Sequence, residues 1–430
     1  MTASAALSPA HNTWRAKVFT ATWLSYVGFY FCRKPFSAAK SAIGKEADFG
    51  ATTLGDIGAA YLIAYAIGQF LAGGMGTRLG PRVNVLLGMA LSIAVTLTMG
   101  LTLSPWLLAG LVAVNGLAQA TGWSGNVGTM AAWFHKQERG RVMGAWATNF
   151  TVGSLLSSWT MAWVLAQHEE GEPAPWRWCF YTGALVLTFV WVQFFFLQRN
   201  RPEDLGLAAI EDAVEKTPEI VLLRGQFLGL SRPAWTNLML VSGFYFFAKL
   251  IRYAVWSWVP FFLEEKYALT GGAANVYSTA FDVMGIPGVF ITGWISDRFF
   301  RSRRAEIALI MMIGMTISCG ALMVFGGVSA GVFAFLLACV GFTLYGPDAL
   351  LTGAGAMDIG SRKSAVLAAG VISGFGSLGP IVQELVIGRM YDAKGGDLGP
   401  IFLLLFGSAG MAALFCAGLV WRNRTGGRGV

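Results

Sequence analysis

The sequence predicts an all-α membrane protein of twelve transmembrane helices in two related bundles of six. Three observations predict it: an apolar composition, a series of apolar runs of membrane-crossing length, and segments that repeat at a near-constant offset. Of the 430 residues, 55% are hydrophobic and only 13% are charged, and the mean hydropathy is +0.58. Soluble domains carry about a quarter charged residues. The 55 glycines suit helices whose backbones approach closely in lipid. The formal net charge of +8 is spread over short loops between apolar runs, which excludes a nucleic-acid-binding patch.

Apolar runs of about 20 residues, the length that spans a bilayer, lie near 18–40, 53–74, 83–103, 106–130, 141–166 and 177–197. They resume near 235–263, 273–296, 305–326, 330–355, 364–388 and 399–421. Residues 1–197 therefore form a first six-helix bundle and 234–430 a second. The interval 198–233 is charged, contains Pro202, Pro218 and Pro233, and reads as a cytoplasmic linker. The first residues lack a charged segment followed by an apolar one, so the first span is expected to be a retained anchor. Cys32, Cys179, Cys319, Cys339 and Cys416 lie in apolar runs without metal-binding spacing and read as small core residues.

Lysine and arginine set the orientation. With both termini cytoplasmic, 21 of the 31 fall on the inner side, including Arg78, Arg82, Arg298 and Arg304. Six fall outside: Lys40, Lys45, Arg177, Lys266, Arg389 and Lys394. The last four, Arg33, Lys34, Lys249 and Arg252, lie inside apolar spans. A cation at the bilayer centre costs about 2.5–3.5 kcal/mol, so each needs an anionic or wet partner.

The halves repeat. GGMGTRLGPR (73–82) aligns with GWISDRFFRS (293–302) at an offset of 220, which brings Arg78 onto Arg298. Arg33 and Arg252 match at 219, and the glycine-rich runs at 143–153 and 368–379 pair at about 226. Duplicated halves around a central site are the plan of an alternating-access carrier. Two guanidiniums at equivalent positions would form a socket for phosphate, because the planar fork of arginine gives two parallel bonds to such an anion.

GGMGTRLGPR resembles the loop signature between helices 2 and 3 of the major facilitator superfamily, with Thr77 in place of the usual Asp and Asp297-Arg298 kept in the second copy. YVGFYFCRKPF (26–36), NGLAQATGW (115–123), WFHKQERGRVMGAW (133–146), IRYAVWSWVPFFL (251–263) and GFTLYGPDALLTGAGAMDIGSRK (341–363) resemble the organophosphate:phosphate antiporters of that superfamily. That family includes bacterial glycerol-3-phosphate and hexose-6-phosphate transporters, a related hexose-phosphate sensor, and vertebrate sugar-phosphate exchangers. The resemblance implies the superfamily fold, a multi-pass location in the cell (inner) membrane, and exchange of inorganic phosphate for a small phosphorylated metabolite. It places the two phosphate-binding arginines at Arg33 and Arg252, the helix-1 aromatics at Tyr26 and Tyr30, and a helix-4 polar–aromatic pair at Gln119 and Trp123. Three departures stand out. Gln69 replaces a lysine of helix 2, Phe150 beside Asn149 replaces a histidine of helix 5, and Ser257 replaces an acid five residues after the second arginine.

Helical spacing adds its own reading. Tyr26, Tyr30 and Arg33 share one face, as do Lys249, Arg252 and Trp256. Lys34, Lys249, Gln69, Asn149 and Tyr345 join the expected substrate-binding set. Asp282, Asp348 and Glu384 are membrane-embedded carboxylates, expected to form gating ion pairs or to carry protons. Snorkelling, or buried pairing of the arginines with Asp282 or Glu384, is the competing structural reading, and Lys34 could pair with Asp282 as a gating bridge. No nucleotide loop, nucleophile elbow or metal cluster occurs, so the chain is expected to be no enzyme and to need no cofactor. It is expected to work as a monomer. Two alternatives stay open: a sugar-phosphate sensor with a transporter fold, and a proton-coupled organic-anion symporter.

Overall fold

The computed structural model describes residues 8–135, 138–167, 174–210, 232–300, 304–355 and 365–425. Among them every regular element is helical. The helices are α1 (Pro9–Ala38), α2 (Lys40–Ala47), α3 (Ala51–Leu79), α4 (Pro81–Met99), α5 (Pro105–Trp133), α6 (Arg139–Trp146), α7 (Thr148–Leu165) and α8 (Trp176–Leu197). They continue with α9 (Arg232–Tyr267), α10 (Gly271–Ser278), α11 (Ala280–Phe299), α12 (Arg304–Phe325), α13 (Ala330–Ala349), α14 (Ala365–Ala393) and α15 (Gly399–Arg424). Two expected spans are interrupted: α6–α7 breaks at Ala147 and α10–α11 at Thr279. A π-helical turn at Leu350–Gly355 follows α13. With each interrupted pair counted as one span and the eight-residue α2 set aside, these helices match the twelve expected crossings.

Local sequence explains the helix starts. Ser8, Ser104, Thr270 and Ser329 each cap a helix, their hydroxyls accepting from His11, Leu107, Ala273 and Val332 N–H. Pro9, Pro81 and Pro105 follow caps at the first turn, where a missing N–H costs nothing. Arg78 and Arg298, paired by the sequence repeat, both lie in the last turn of their helices, where cations favour the helix dipole.

Contacts divide the chain into two compact units. The first comprises Met1–Ala39 and Ala60–Thr217, the second Lys40–Ala59 and Pro218–Val430. This division differs from the sequence one by giving α2 and the start of α3 to the second unit. Part of the expected linker, 211–231, lies outside the described residues.

In the first unit α1 packs on α7 and α8, and α4 on α5 and α8. Phe29, Cys32, Met89, Leu187 and Phe194 form a buried cluster there. A proline supplies one contact. Pro35 has no N–H, so the carbonyl of Phe31 lacks its helix donor. Gly183 of α8 lies against that carbonyl so closely that a Cβ would stand 2.0 Å from it. In the second unit α9 packs on α14 and α15, α11 on α13, and α12 on α13 and α15. Among the described residues eight helical spans are long and apolar enough to cross a membrane, and six of them belong to the second unit. In the first unit α1 carries four cations and α5 buries Asn115, Gln119 and Asn126. That polarity is where the site chemistry begins.

Candidate functional site

In the first unit Arg33 is held by neutral groups. Its Nε donates to Gln119 Oε1 at 3.0 Å, and Tyr61 OH donates to the same oxygen at 2.9 Å. The guanidinium carbon stands 4.7 Å from the Tyr30 ring centroid, 5.2 Å from Tyr65 and 5.7 Å from Tyr61. Each such contact contributes about 0.5–2 kcal/mol. Among the described residues no carboxylate lies within ion-pair distance of Arg33, and its Nη2 is buried without a hydrogen-bond partner.

Behind Gln119 a chain of bonds fixes the amide. Gln119 Nε2 donates to Asn115 Oδ1 at 3.1 Å and to Ser92 Oγ at 3.4 Å. Ser92 Oγ donates to Asn115 Oδ1 at 2.6 Å, and Asn115 Nδ2 donates to the Cys32 carbonyl at 2.8 Å. Because the amide nitrogen is spent on Asn115 and Ser92, Gln119 presents its oxygen to Arg33. Tyr26 packs edge-on against Tyr30 at 6.0 Å and against Trp123 at 5.5 Å, and Trp123 remains 38% exposed. Asn149, just past the Ala147 interruption, is fully buried, and among the described residues neither amide atom has a hydrogen-bond partner. Lys34 is buried and Gln69 half-buried; neither is tied to the Gln119 network by the bonds above.

The second unit holds its arginine with an acid. Arg252 Nη2 donates to Asp348 Oδ2, a contact between α9 and the end of α13. The competing structural reading pairs Arg252 with Asp282 or Glu384; the acid it meets is Asp348. Asp282 instead accepts from Trp256 Nε1 at 2.9 Å and from Tyr345 OH. The Tyr345 ring lies 4.4 Å from the Arg252 guanidinium, and Lys249 Nζ lies 4.7 Å from the Tyr245 ring. Arg252 Nε and Asp348 Oδ1 are both buried, and among the described residues neither has a hydrogen-bond partner.

Glu384 belongs to a different cluster in the same unit. Lys40, counted in sequence among the outer charges, is fully buried. Its Nζ lies 3.2 Å from Glu384 Oε2, 2.7 Å from Ser257 Oγ and 3.8 Å from the Trp258 ring centroid. Ser257 in turn donates to Glu384 Oε1. The carboxylate missing at Ser257 is thus supplied from α14. Gly58 makes room for it, since a Cβ there would lie 2.9 Å from Glu384 Cδ. Asp392 caps α3 by accepting from Ala51 N at 3.0 Å and Thr52 N at 2.7 Å.

Participants that escaped the sequence reading include Tyr61, Tyr65, Ser92, Asn115 and Lys40. Tyr61, Tyr65 and Gln69 are spaced four apart on one helical face, a pattern the sequence does display. Lys40 offers no such signal, its partner being 344 residues away.

The family model for the Major Facilitator Superfamily matches residues 18–383. The glycerol-3-phosphate transporter of Bacillus subtilis is 29% identical over 434 residues, covering 97% of this chain and 94% of that protein. A membrane sensor protein of Escherichia coli, UhpC, is 25% identical over 422 residues, covering 96% and 94%. Among solved structures, that of a D-xylose-proton symporter superposes with a TM-score of 0.72 at 13% identity, covering 93% of this chain and 96% of that one. The last likeness concerns the fold alone.

Proposed function

The chain belongs to the Major Facilitator Superfamily, and on that premise we propose that it is a secondary active transporter. It exchanges inorganic phosphate for a small organophosphate, a sugar phosphate or glycerol 3-phosphate, by alternating access across the inner membrane. Arg33 and Arg252 grip the phosphoryl group. Tyr26, Tyr30, Lys34, Gln69, Gln119, Trp123 and Asn149 of the first unit, and Lys249 and Tyr345 of the second, are the further residues assigned to substrate. Asp282, Asp348 and Glu384 act in gating. Similarity to the glycerol-3-phosphate transporter of Bacillus subtilis over almost the whole chain supports the substrate class.

One observation carries the reading: Arg33 is fixed by a neutral amide and three aromatic faces, with a buried Nη2 still unbonded. Such a cation keeps its charge for a ligand. At an effective dielectric near 20, unit charges 4 Å apart attract by about 4 kcal/mol, enough to offset the insertion cost of one arginine. Reorientation of the empty carrier leaves that charge unmet, which favours exchange over one-way movement.

Reconstituted vesicles loaded with phosphate test this. R33K and R252K are expected to lower exchange of labelled phosphate by about a hundredfold or more, because lysine cannot reproduce the two-pronged contact. Wild-type rates in either folded variant refute the assignment. The similarity to the sensor protein supports a second reading, in which the chain binds sugar phosphate without turnover; tight binding with no exchange in vesicles would select it. The Arg252–Asp348 pair supports a third, proton-coupled reading. Uptake into phosphate-free vesicles driven by a pH gradient would select that one.

A further inference from the structure

Asp348 is misplaced for a site that takes only anions. It occupies one prong of the Arg252 fork, so the attraction that Arg252 would offer a phosphate is largely cancelled before any ligand arrives. Around Arg252 the charges balance, with Arg252 and Lys249 against Asp348 and Asp282. The two acids are not equivalent. Asp282 receives two aromatic donors, Trp256 Nε1 and Tyr345 OH, whereas Asp348 Oδ1 is buried with none among the described residues. Arg252 Nε, on the other side of the same pair, is a buried donor with no acceptor.

The unmet groups define what would complete them. Asp348 Oδ1 needs a donor, and a cationic one gains most beside a carboxylate. Arg252 Nε needs an acceptor, and an anionic oxygen serves it best. A proton on Asp348 meets neither need: it turns an unmet acceptor into an unmet donor and leaves Arg252 Nε as it was. The Tyr345 ring, 4.4 Å from the guanidinium, adds an aromatic wall of the kind that accepts cations.

We propose that the Arg252–Asp348 pair of the second unit recognises a ligand bearing an ammonium group close to an anionic oxygen. The organic substrate is then a small aminoalkyl phosphate or phosphonate. This rests on the organophosphate reading above and narrows it: Asp348 takes the ammonium and Arg252 the phosphoryl oxygen.

Binding to the purified full-length chain in detergent, followed by calorimetry, tests the proposal without requiring transport. The probes are phosphoethanolamine, ethyl phosphate of the same skeleton without nitrogen, and phosphocholine, a cation without N–H. Phosphoethanolamine is expected to bind at least about tenfold more tightly than ethyl phosphate, as a charge-assisted bond allows. In D348N that ratio is expected to fall to about one, whatever the absolute affinities. Equal or tighter binding of ethyl phosphate to the wild type overturns the proposal, as does an amine preference that survives in D348N. Should D348N fail to fold, phosphocholine decides. Binding weaker than that of phosphoethanolamine upholds the role of Asp348, and equal binding overturns it. Phosphate exchange is measured separately in vesicles. Its absence alongside a retained amine preference sinks the exchange reading and leaves this one standing.

Discussion

In the first unit Arg33 leans on Gln119, Tyr30, Tyr61 and Tyr65, and behind them stand Asn115 and Ser92, all uncharged. In the second unit Arg252 meets Asp348, and Lys40 meets Glu384. The two units thus hold these buried cations by different means, amides and rings in the first, carboxylates in the second. Amide networks leave the cation's charge available while fixing its geometry. Ion pairs remove the charge, and breaking one by losing a single partner strands the other in a poor solvent. The difference teaches that equivalent arginines need not do equivalent work.

The contrast can be broken at its strongest point. K40M is expected to destabilise the protein by about 3–5 kcal/mol, the usual cost of removing one partner from a buried pair. Thermal unfolding in detergent, read by tryptophan fluorescence, measures it. The double variant K40M/E384Q is expected to recover most of the loss, and no recovery would mean that the pair is not the unit of stability. Q119E then makes the first unit resemble the second by placing a carboxylate against Arg33. Phosphate binding is expected to weaken about tenfold to a hundredfold, with the fold retained; unchanged affinity would show that the neutrality of the Arg33 anchor is irrelevant.

N115L probes the amide network itself. It leaves the Cys32 carbonyl and the Gln119 amide short of partners, at an expected cost of about 1–3 kcal/mol. That is less than K40M, and the reverse order would overturn the distinction between amide and ionic burial. The smallest effect belongs to the edge of the first unit. There burial would raise the Glu138 carboxyl, but the bond from Arg15, the His135 N–H and the charge of Arg15 together hold it below the ordinary range. An acid so lowered stabilises the fold above its unfolded value of about 4.3, and the contribution is lost as pH falls through the folded value. E138Q is expected to remove that acid sensitivity, by less than about 1 kcal/mol for a single ion pair still partly open to solvent, as seen in melting curves recorded from pH 6 down to pH 3.

Most of the fold was legible because a bilayer imposes a length on every span and excludes charge from it. The same rule singled out Arg33, Lys34, Lys249 and Arg252. It could not choose among Asp282, Asp348 and Glu384 as partners, since only packing decides which acid meets which cation. Lys40 was illegible for a related reason: it opens the run KSAIGKEA just beyond the end of α1, where it counts as an outer charge. The interruptions at Ala147 and Thr279 left no proline or glycine at the break to announce them. Tyr61 and Tyr65 were within reach, being regularly spaced, but an aromatic stripe in an apolar helix reads first as packing.

The long-range capping of α3 has a consequence for biosynthesis. Lys40 and the start of α3 leave the ribosome early, yet Glu384 and Asp392, which neutralise the one and cap the other, lie 344 and 341 residues downstream. At about 5–20 residues per second the newborn segment waits roughly 20–70 s with an uncovered ammonium and bare amides at the bilayer edge. The insertion machinery must shelter it for that interval, and chains cut short before Glu384 are expected to be degraded in the cell rather than accumulate.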